Sequence, residues 1–365
     1  MKLLYITNQI SGAAGLERVL SIKASYLADT LNYEVHILTL NQNNTPLFYD
    51  FSDKLIYHDI PYKGTVFKSV FQYIKGIRQT IKKIKPDIIL VCDDGLKGFY
   101  VPLFTNKPCP MVYERHVSIH VEQKKDKNNY FASIAQKIKH KLMLFGAKRY
   151  DAFVVLTRGN LKEWDLKNIL VISNPLPFNT EITSKLNHKI VLAVGRQSYQ
   201  KAYDRLLKSW HIVHKKHPDW NLEIYGKIDE NLKLQTQANN LGIGDTVNFH
   251  KPVKNIEDKY EQASIYAMSS RFEGFGMVLI EAMSYGLPCV SFDCPYGPSD
   301  IITDYKDGIL IENGNIQSFA DAIIKLIENQ SLRQDMGENA QVKAQNYVPE
   351  KIMQKWDALF KSLKQ

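Results

Sequence analysis

Two short stretches hold the residues best suited to chemistry. In the first, an apolar run over residues 190–194 ends at Gly195, and Arg196-Gln197-Ser198-Tyr199-Gln200-Lys201 leads into a segment with helical spacing. The pattern predicts a strand that delivers two cations to its carboxyl end, beside a helix N-terminus. A diphosphate suits that arrangement: Arg offers a planar fork of donors, Lys a point charge, and the helix end backbone N–H groups. Two exposed charges on a surface loop would leave the same pattern. The second stretch runs Ser270-Arg271-Phe272-Glu273-Gly274-Phe275-Gly276-Met277 and continues through Leu279 and Ile280 to Glu281-Ala282-Met283. Gly274 and Gly276 let backbone approach a ligand closely, and Glu281 falls about one turn inside the helix that follows. Two carboxylates eight residues apart, around a glycine-rich helix start, could both reach one polyhydroxylated ligand. A helix-dipole acid plus a surface glutamate explains Glu273 in part, but leaves Glu281 unexplained beside Leu279, Ile280 and Ala282.

Both stretches need elements to carry them, and the sequence alternates strand and helix signals twice. In the first half, residues 3–7, 34–40, 87–92, 111–113 and 152–156 read as strands, and 16–31 and 67–85 as amphipathic helices. Asp87-Ile88-Ile89-Leu90-Val91-Cys92 is apolar on both faces, as in a parallel sheet covered on both sides. A polar, proline-containing stretch over 173–188 reads as a linker. The alternation then restarts, with strands at 190–194, 222–225, 246–249, 265–267 and 289–292. Helices are expected at 203–217, 231–241, 256–262 and 277–285, and from 316 to the end. Two doubly wound α/β domains are therefore expected, spanning 1–172 and 173–347, with ligands at the carboxyl ends of the strands and in the cleft where the domains face each other. After Val348-Pro349, an apolar face of Ile352, Trp356, Leu359, Phe360 and Leu363 predicts a final helix, 348–365, that crosses back onto the first domain.

Composition narrows the class. With 365 residues the chain exceeds what one core usually organises. Its 44% hydrophobic and 23% charged residues exclude a disordered or fibrous chain. Cys92, Cys109, Cys289 and Cys294 match no common zinc spacing and read as reduced thiols. Met1-Lys2-Leu3-Leu4-Tyr5-Ile6 reads as a first strand rather than a signal peptide, and no run reaches the ~18 apolar residues of a membrane-spanning helix. A cytoplasmic protein is expected.

The formal charge is +9, and its excess lies in the first half. One run holds Lys75, Arg78, Lys82, Lys83 and Lys85. Another holds Lys124, Lys125, Lys127, Lys137, Lys139, Lys141, Lys148 and Arg149 against Glu122 and Asp126. Either run alone reads as a solvated helix face. Together they point to an anionic surface, either the inner face of the cell membrane or a phosphate-bearing acceptor. No aromatic platform accompanies them, which argues against nucleic acid.

The pair Gly-Arg-x4-Lys and Glu-Gly-Phe-Gly-x4-Glu-Ala-Met resembles the retaining glycosyltransferases of family 4, which have the GT-B fold. The first loop and helix, Gly12-Ala13-Ala14-Gly15-Leu16-Glu17-Arg18, and Ile172-Ser173-Asn174-Pro175 extend the resemblance along the chain. It implies that Arg196 and Lys201 neutralise the leaving diphosphate of a nucleotide-sugar, expected to be a UDP-sugar. Gly195 belongs to that donor loop. Glu281 would bind the ribose hydroxyls and Glu273 those of the transferred sugar. Backbone N–H groups of Phe275, Gly276 and Met277 would contact the donor, and Gly15 would admit the first-domain loop to the diphosphate. His116, after the strand at 111–113, matches the family's histidine near the transferred sugar. Where the family often has Gly after the phosphate Lys, this chain has Ala202. The segment Asp293-Cys294-Pro295-Tyr296-Gly297-Pro298 resembles members that build bacterial surface polysaccharides, and it also reads simply as a tight turn.

No metal and no other cofactor is implied. Asp93-Asp94 is adjacent rather than Asp-x-Asp, and cations with helix ends can do a metal's electrostatic work. The expected activity is transfer of a hexose or N-acetylhexosamine to a saccharide or lipid-linked saccharide. A nucleotide-sugar epimerase of the same fold would need further acid–base carboxylates. A non-catalytic subunit of a polysaccharide assembly complex would be expected to lack the donor-site charges.

Overall fold

The computed structural model describes residues 1–12, 14–61, 66–93, 95–119, 130–178 and 181–364, without the side chains of 66–69 and 130–133. Ala13, Asp94, Glu122, Lys124, Lys125, Asp126 and Lys127 lie outside the described residues. The chain divides into two compact units, Met1–Pro177 with Pro349–Gln365, and Phe178–Val348.

The first unit opens with β1 (Lys2–Thr7), α1 (Gly15–Asp29), β2 (Glu34–Leu40), β3 (Ile56–Ile60), α2 (Val66–Ile84) and β4 (Ile88–Cys92). It continues with α3 (Leu96–Phe99), α4 (Val101–Thr105), β5 (Met111–Glu114), α5 (Tyr130–Ala147), β6 (Ala152–Val155) and β7 (Ile169–Val171). The strands lie in the order β3-β2-β1-β4-β5-β6-β7, each neighbour parallel. Alternate residues of β1 face opposite ways, and both faces are apolar. Leu3 and Tyr5 pack toward α1, while Leu4 and Ile6 pack toward α2 and α5.

The second unit repeats the plan. It runs β8 (Ile190–Val194), α6 (Tyr203–Lys216), β9 (Asn221–Tyr225), α7 (Leu234–Asn240), β10 (Val247–His250), α8 (Glu257–Gln262) and β11 (Ile265–Met268). Then come α9 (Met277–Ser284), β12 (Cys289–Asp293), α10 (Pro298–Ile301), β13 (Gly308–Glu312), α11 (Ile316–Glu328) and α12 (Gln330–Ala344). The strand order is β10-β9-β8-β11-β12-β13, again all parallel. In each unit the strand order reverses beside the unit's first strand, between β1 and β4 and between β8 and β11. Crossovers on either side of such a point leave opposite faces, so the carboxyl ends there open into a crevice.

The observed elements differ from the expected ones in a few places. The edge strand β3 was not expected, because Ile56 and Tyr57 face solvent and interrupt any buried pattern. The edge strands β7 and β13 were also unread, and so was α5, whose basic residues mask its buried Met143 and Ala147. The division falls after Pro177 rather than Ile172, since Leu176 is buried and Ser173 Oγ donates to the Leu156 carbonyl at 3.2 Å.

The last helix, α13 (Pro349–Lys364), returns to the first unit. Ile352, Met353, Trp356, Leu359 and Phe360 complete the cluster formed by β1 and α1. At its rim Tyr33 donates to Asp357, and Lys364 Nζ lies 3.1 Å from Asp87 Oδ1. Trp356 is one of the largest fully buried side chains, 1% exposed. Truncating such a residue costs about 3–5 kcal/mol through lost burial and the cavity left behind. Trp356→Ala is expected to lower the stability of the first unit by that amount in urea denaturation, and a loss under 1 kcal/mol would show that α13 is not integral to this core.

Candidate functional site

In the second unit, β8 delivers Gly195 and Arg196 to the sheet's carboxyl edge, and the loop 195–202 leads into α6. Neighbouring β11 delivers the loop 269–276, which leads into α9. Lys201 Nζ donates to Glu273 Oε1 at 2.8 Å, joining the two loops. The Ser270 hydroxyl donates to the same oxygen at 2.6 Å, and Gln200 Nε2 lies 3.3 Å from Glu273 Oε2. The Lys201 and Glu273 side chains keep 16% and 8% of their surface, so the pair sits at the edge of solvent. Arg196 is exposed on the same loop.

The surroundings fix this arrangement. The Arg271 guanidinium is bidentate to Asp204, at 2.9 and 2.6 Å, and its Nη1 also reaches the Tyr199 carbonyl. Arg271 N donates to the Gln200 carbonyl, closing the junction. From the other side, Glu273 N donates to the Pro295 carbonyl and Tyr296 N to the Glu273 carbonyl, 2.9 and 3.0 Å. The turn 293–300 therefore braces the Glu273 loop. A Cβ on Gly297, whose φ is +125°, would stand 2.0 Å from the Phe275 carbonyl oxygen.

Gly195 has φ +152°, and a Cβ there would meet Lys201 Cε at 2.8 Å, so the lysine side chain would have to move from its place. Ala202 occupies the left-handed region at φ 55° as the cap of α6. For L-residues that conformation costs about 1–2 kcal/mol, which is why glycine is usual at such a place. Gly276 caps α9 at φ +98°, so Phe275, Gly276 and Met277 enter the helix as a turn of backbone N–H groups. Glu281 lies inside α9, 2% exposed, and its Oε2 accepts from the Tyr260 hydroxyl at 2.9 Å.

Gly15 and His116 belong to the first unit. Gly15 starts α1 after β1, and a Cβ there would point into open space. His116 follows β5, with its Nε2 3.1 Å from Glu114 Oε1. Beneath it is a network that the sequence did not disclose. Lys23 donates to Glu114 from α1, and the two side chains keep only 1% and 2% of their surface. Cys92 Sγ lies 3.3 Å from Glu114 Oε2, and the Trp356 ring covers the Lys23 ammonium with its centroid 3.7 Å away. One signal was available: Lys23 falls in the inward stripe of α1 with Val19, Leu20, Ala24 and Leu27, where a lysine demands a buried partner.

Cys92, Glu114 and His116 offer donor atoms within 4.8 Å of one another. The Lys23 ammonium already occupies the carboxylate and opposes any second cation there. Asp93 is likewise committed, accepting from Asn8 Nδ2 and Gly95 N at 3.1 and 2.7 Å.

Burial alone would raise the Glu114 carboxyl, but Lys23 and His116 outweigh it and hold the group far below the usual carboxylate range. Its stabilising effect is therefore present above the unfolded carboxyl's pKa, ~4.3, and is lost as the pH falls below it, because only the unfolded chain takes up the proton there. Glu114→Gln would leave the Lys23 ammonium buried without its counter-charge. It is expected to cost about 3 kcal/mol near neutrality and to flatten the acid limb of the stability profile. An unchanged acid limb in urea melts between pH 3 and 7 would contradict this account.

Against known proteins, a family profile described as Glycosyl transferases group 1 matches residues 178–343, nearly the whole second unit. An uncharacterized glycosyltransferase of Haemophilus influenzae is 30% identical over 368 residues, 98% of this chain and 99% of that protein. The amylovoran biosynthesis glycosyltransferase AmsD of Erwinia amylovora is 30% identical over 372 residues, 98% of each. Among solved structures, a mutant of S. aureus TarM in complex with Fondaparinux, alpha-GlcNAc-glycerol and UDP superposes with a TM-score of 0.80 at 19% identity, over 98% of this chain and 99% of that one. That likeness gives the fold as GT-B.

Proposed function

The chain belongs to the group 1 glycosyl transferases, and we propose that it is a retaining, family 4 type enzyme of bacterial surface-polysaccharide synthesis. In this reading it moves a hexose or N-acetylhexosamine from a UDP-sugar to a saccharide or lipid-linked saccharide at the inner face of the cell membrane. The observation that carries the reading is the accessible Lys201–Glu273 pair at the carboxyl ends of β8 and β11, flanked by Arg196 and by the start of α9. UDP in a chain of the same fold supports the choice of base, and a relative named for amylovoran biosynthesis supports the product class.

In the proposed reaction the donor is bound first. The donor diphosphate lies against Arg196 and Lys201, with N–H groups of Phe275, Gly276 and Met277 as further donors. Glu281 takes the ribose hydroxyls and Glu273 those of the sugar. As the bond from the anomeric carbon to the diphosphate oxygen breaks, charge gathers on the diphosphate, where the two cations stabilise it. The acceptor hydroxyl attacks from the same face, and its proton passes to the departing phosphate oxygen. Configuration is thereby kept. Retention is favoured because the donor-side carboxylate, Glu273, is engaged by Lys201 and Ser270 rather than free to act as a base. For His116 and Gly15, in the first unit, only the family resemblance supports roles toward the sugar and the diphosphate.

Incubation with a panel of UDP-sugars and glycan acceptors, read by UDP release, tests the reading. Arg196→Ala and Lys201→Ala are each expected to slow transfer by about 100-fold or more, the first with its thermal melt kept and the second with a lowered melt but a folded chain at the assay temperature. Turnover like the wild type in either variant would overturn the assignment. UDP should raise the melting temperature of the wild type. Conversion of a UDP-sugar to its epimer without acceptor would favour an epimerase instead.

A further inference from the structure

The outer face of the first unit carries a second feature, apart from the donor chemistry. Helices α2, α4 and α5 bury their inner residues in one cluster on the same face of the sheet, among them Ile77, Ile81, Val101, Met143 and Ala147. They form one layer. Arg78 Nε donates to the Phe104 carbonyl, joining α2 to α4, and the Tyr100 hydroxyl donates to the Leu142 carbonyl at 3.1 Å, joining the start of α4 to α5.

The outward side of this layer is unusual in two respects. First, it exposes large apolar side chains in helical register. On α5, Ile134, Ile138, Leu142 and Phe145 are 39%, 55%, 43% and 50% exposed. Their spacing of four, four and three residues makes one stripe, about 16 Å long at 1.5 Å per residue. On α2 and α4, Phe71 is 67% exposed and Leu103 44%. Second, no Asp or Glu stands within residues 66–85, 96–107 or 130–149, while lysines and arginines recur through all three. Lys137, Lys141 and Lys148 flank the α5 stripe and are exposed, and Arg149 stacks on Phe145 with its guanidinium 3.6 Å from the ring centroid. Between α2 and α4 a cavity of ≈ 440 Å³ is lined by Arg78, Lys82 and Lys85 over Ile81, Pro86 and Pro108.

We propose that this helix layer docks on an anionic lipid bilayer, its apolar stripe entering the interface and its cations meeting lipid phosphates, one of which fits the Arg78–Lys82–Lys85 cavity. Apolar residues on a basic helical face are the combination that holds a helix in the plane of a membrane surface. A protein partner fits less well, because lysine is depleted in protein interfaces and a surface of one sign needs a matching acidic one. Among the described residues no helix is long and apolar enough to cross a membrane, so docking at the surface is what the layer offers.

The test uses the full-length protein and co-sedimentation with vesicles of phosphatidylcholine, alone or mixed with phosphatidylglycerol. The wild type is expected to bind the mixed vesicles at least ~10-fold more tightly, with salt weakening the attraction. Replacing Lys137, Lys141 and Lys148 by Gln should lower that binding by roughly 100-fold, about fivefold per cation. Ile138→Ser with Phe145→Ser should lower it by at least ~10-fold with every charge kept. Thermal melts check that both variants fold. Equal binding to neutral and anionic vesicles, or none to either, would overturn the proposal. So would an apolar variant that binds like the wild type, or light scattering that shows the stripe holding two copies of the chain together. None of these readouts uses sugar transfer, so failure here leaves the donor-site reading untouched, and the reverse also holds.

Discussion

The ion pair between Lys201 and Glu273 is the contact on which the donor-side architecture depends. It joins the two loops that meet where the strand order reverses, and every brace around it acts on one of those loops. Arg271 holds 199–204 against 271, and the turn at 295–297 holds 273–275 from behind. The first unit contains a pair of the same chemistry, Lys23–Glu114, also beside a switch point. Their difference is access to water. At 1% and 2% exposure, Lys23 and Glu114 are closed to water and to any incoming ligand, so their mutual attraction only offsets the cost of leaving water. At 16% and 8%, Lys201 and Glu273 can each be approached. In the proposed reading a diphosphate oxygen replaces a carboxylate oxygen on the ammonium and a sugar hydroxyl takes the carboxylate, so the pair would hold the loops in shape and then divide its charges between two parts of one ligand.

That division requires the loops to pass close to each other, and backbone conformation records the crowding. Side chains are barred at Gly226 by the Gly195 carbonyl 2.1 Å from a Cβ and at Gly297 by the Phe275 carbonyl, and one at Gly195 would displace the Lys201 stem. Ala202 keeps the left-handed conformation without glycine's freedom, held by the hydrogen bond from its N–H to Ser198 O and by its complete burial. Such strain persists only where surroundings over-determine it. Its concentration within a few residues of Lys201 means that α6 begins in one place, with Lys201 aimed at Glu273.

Much of this was legible in the residues because it follows from short-range pattern. Apolar runs of five between helical stretches specify parallel strands, and β2 and β8 fall where the alternation puts them. Arg196, Lys201, Glu273 and Glu281 stand out because charged residues at strand ends and in an apolar helix need a reason. What escaped depends on contacts far apart in sequence. The Lys23–Glu114 contact spans 91 residues, and the partner of an inward lysine cannot be named until α1 and β5 are brought together. The pairing of Lys201 with Glu273, 72 residues apart, escaped for the same reason: the two were read as acting on separate parts of a ligand, with no sign that they hold each other first. Of the edge strands, β10 was expected at 246–249, whereas β3 escaped because Ile56 and Tyr57 keep one side in water and break the apolar signature.

The buried parallel sheet also explains why the first unit can hold two unlike surfaces without conflict. Its strand ends gather polar groups whose positions are set by the register of β1, β4 and β5. Its covering helices need apolar residues only on their inner faces, so their outer faces are unconstrained by folding. A helix such as α5, with Met143 and Ala147 inside, would fold as well with glutamates and serines outside, and would be more soluble for it. Isoleucine, leucine and phenylalanine at those outer positions, among cations that no acid on the same helices compensates, cost solubility and add charge repulsion within the unit. Among the described residues, nothing in the packing of the first unit calls for either feature, and the proposed docking on an anionic lipid surface would give both a use.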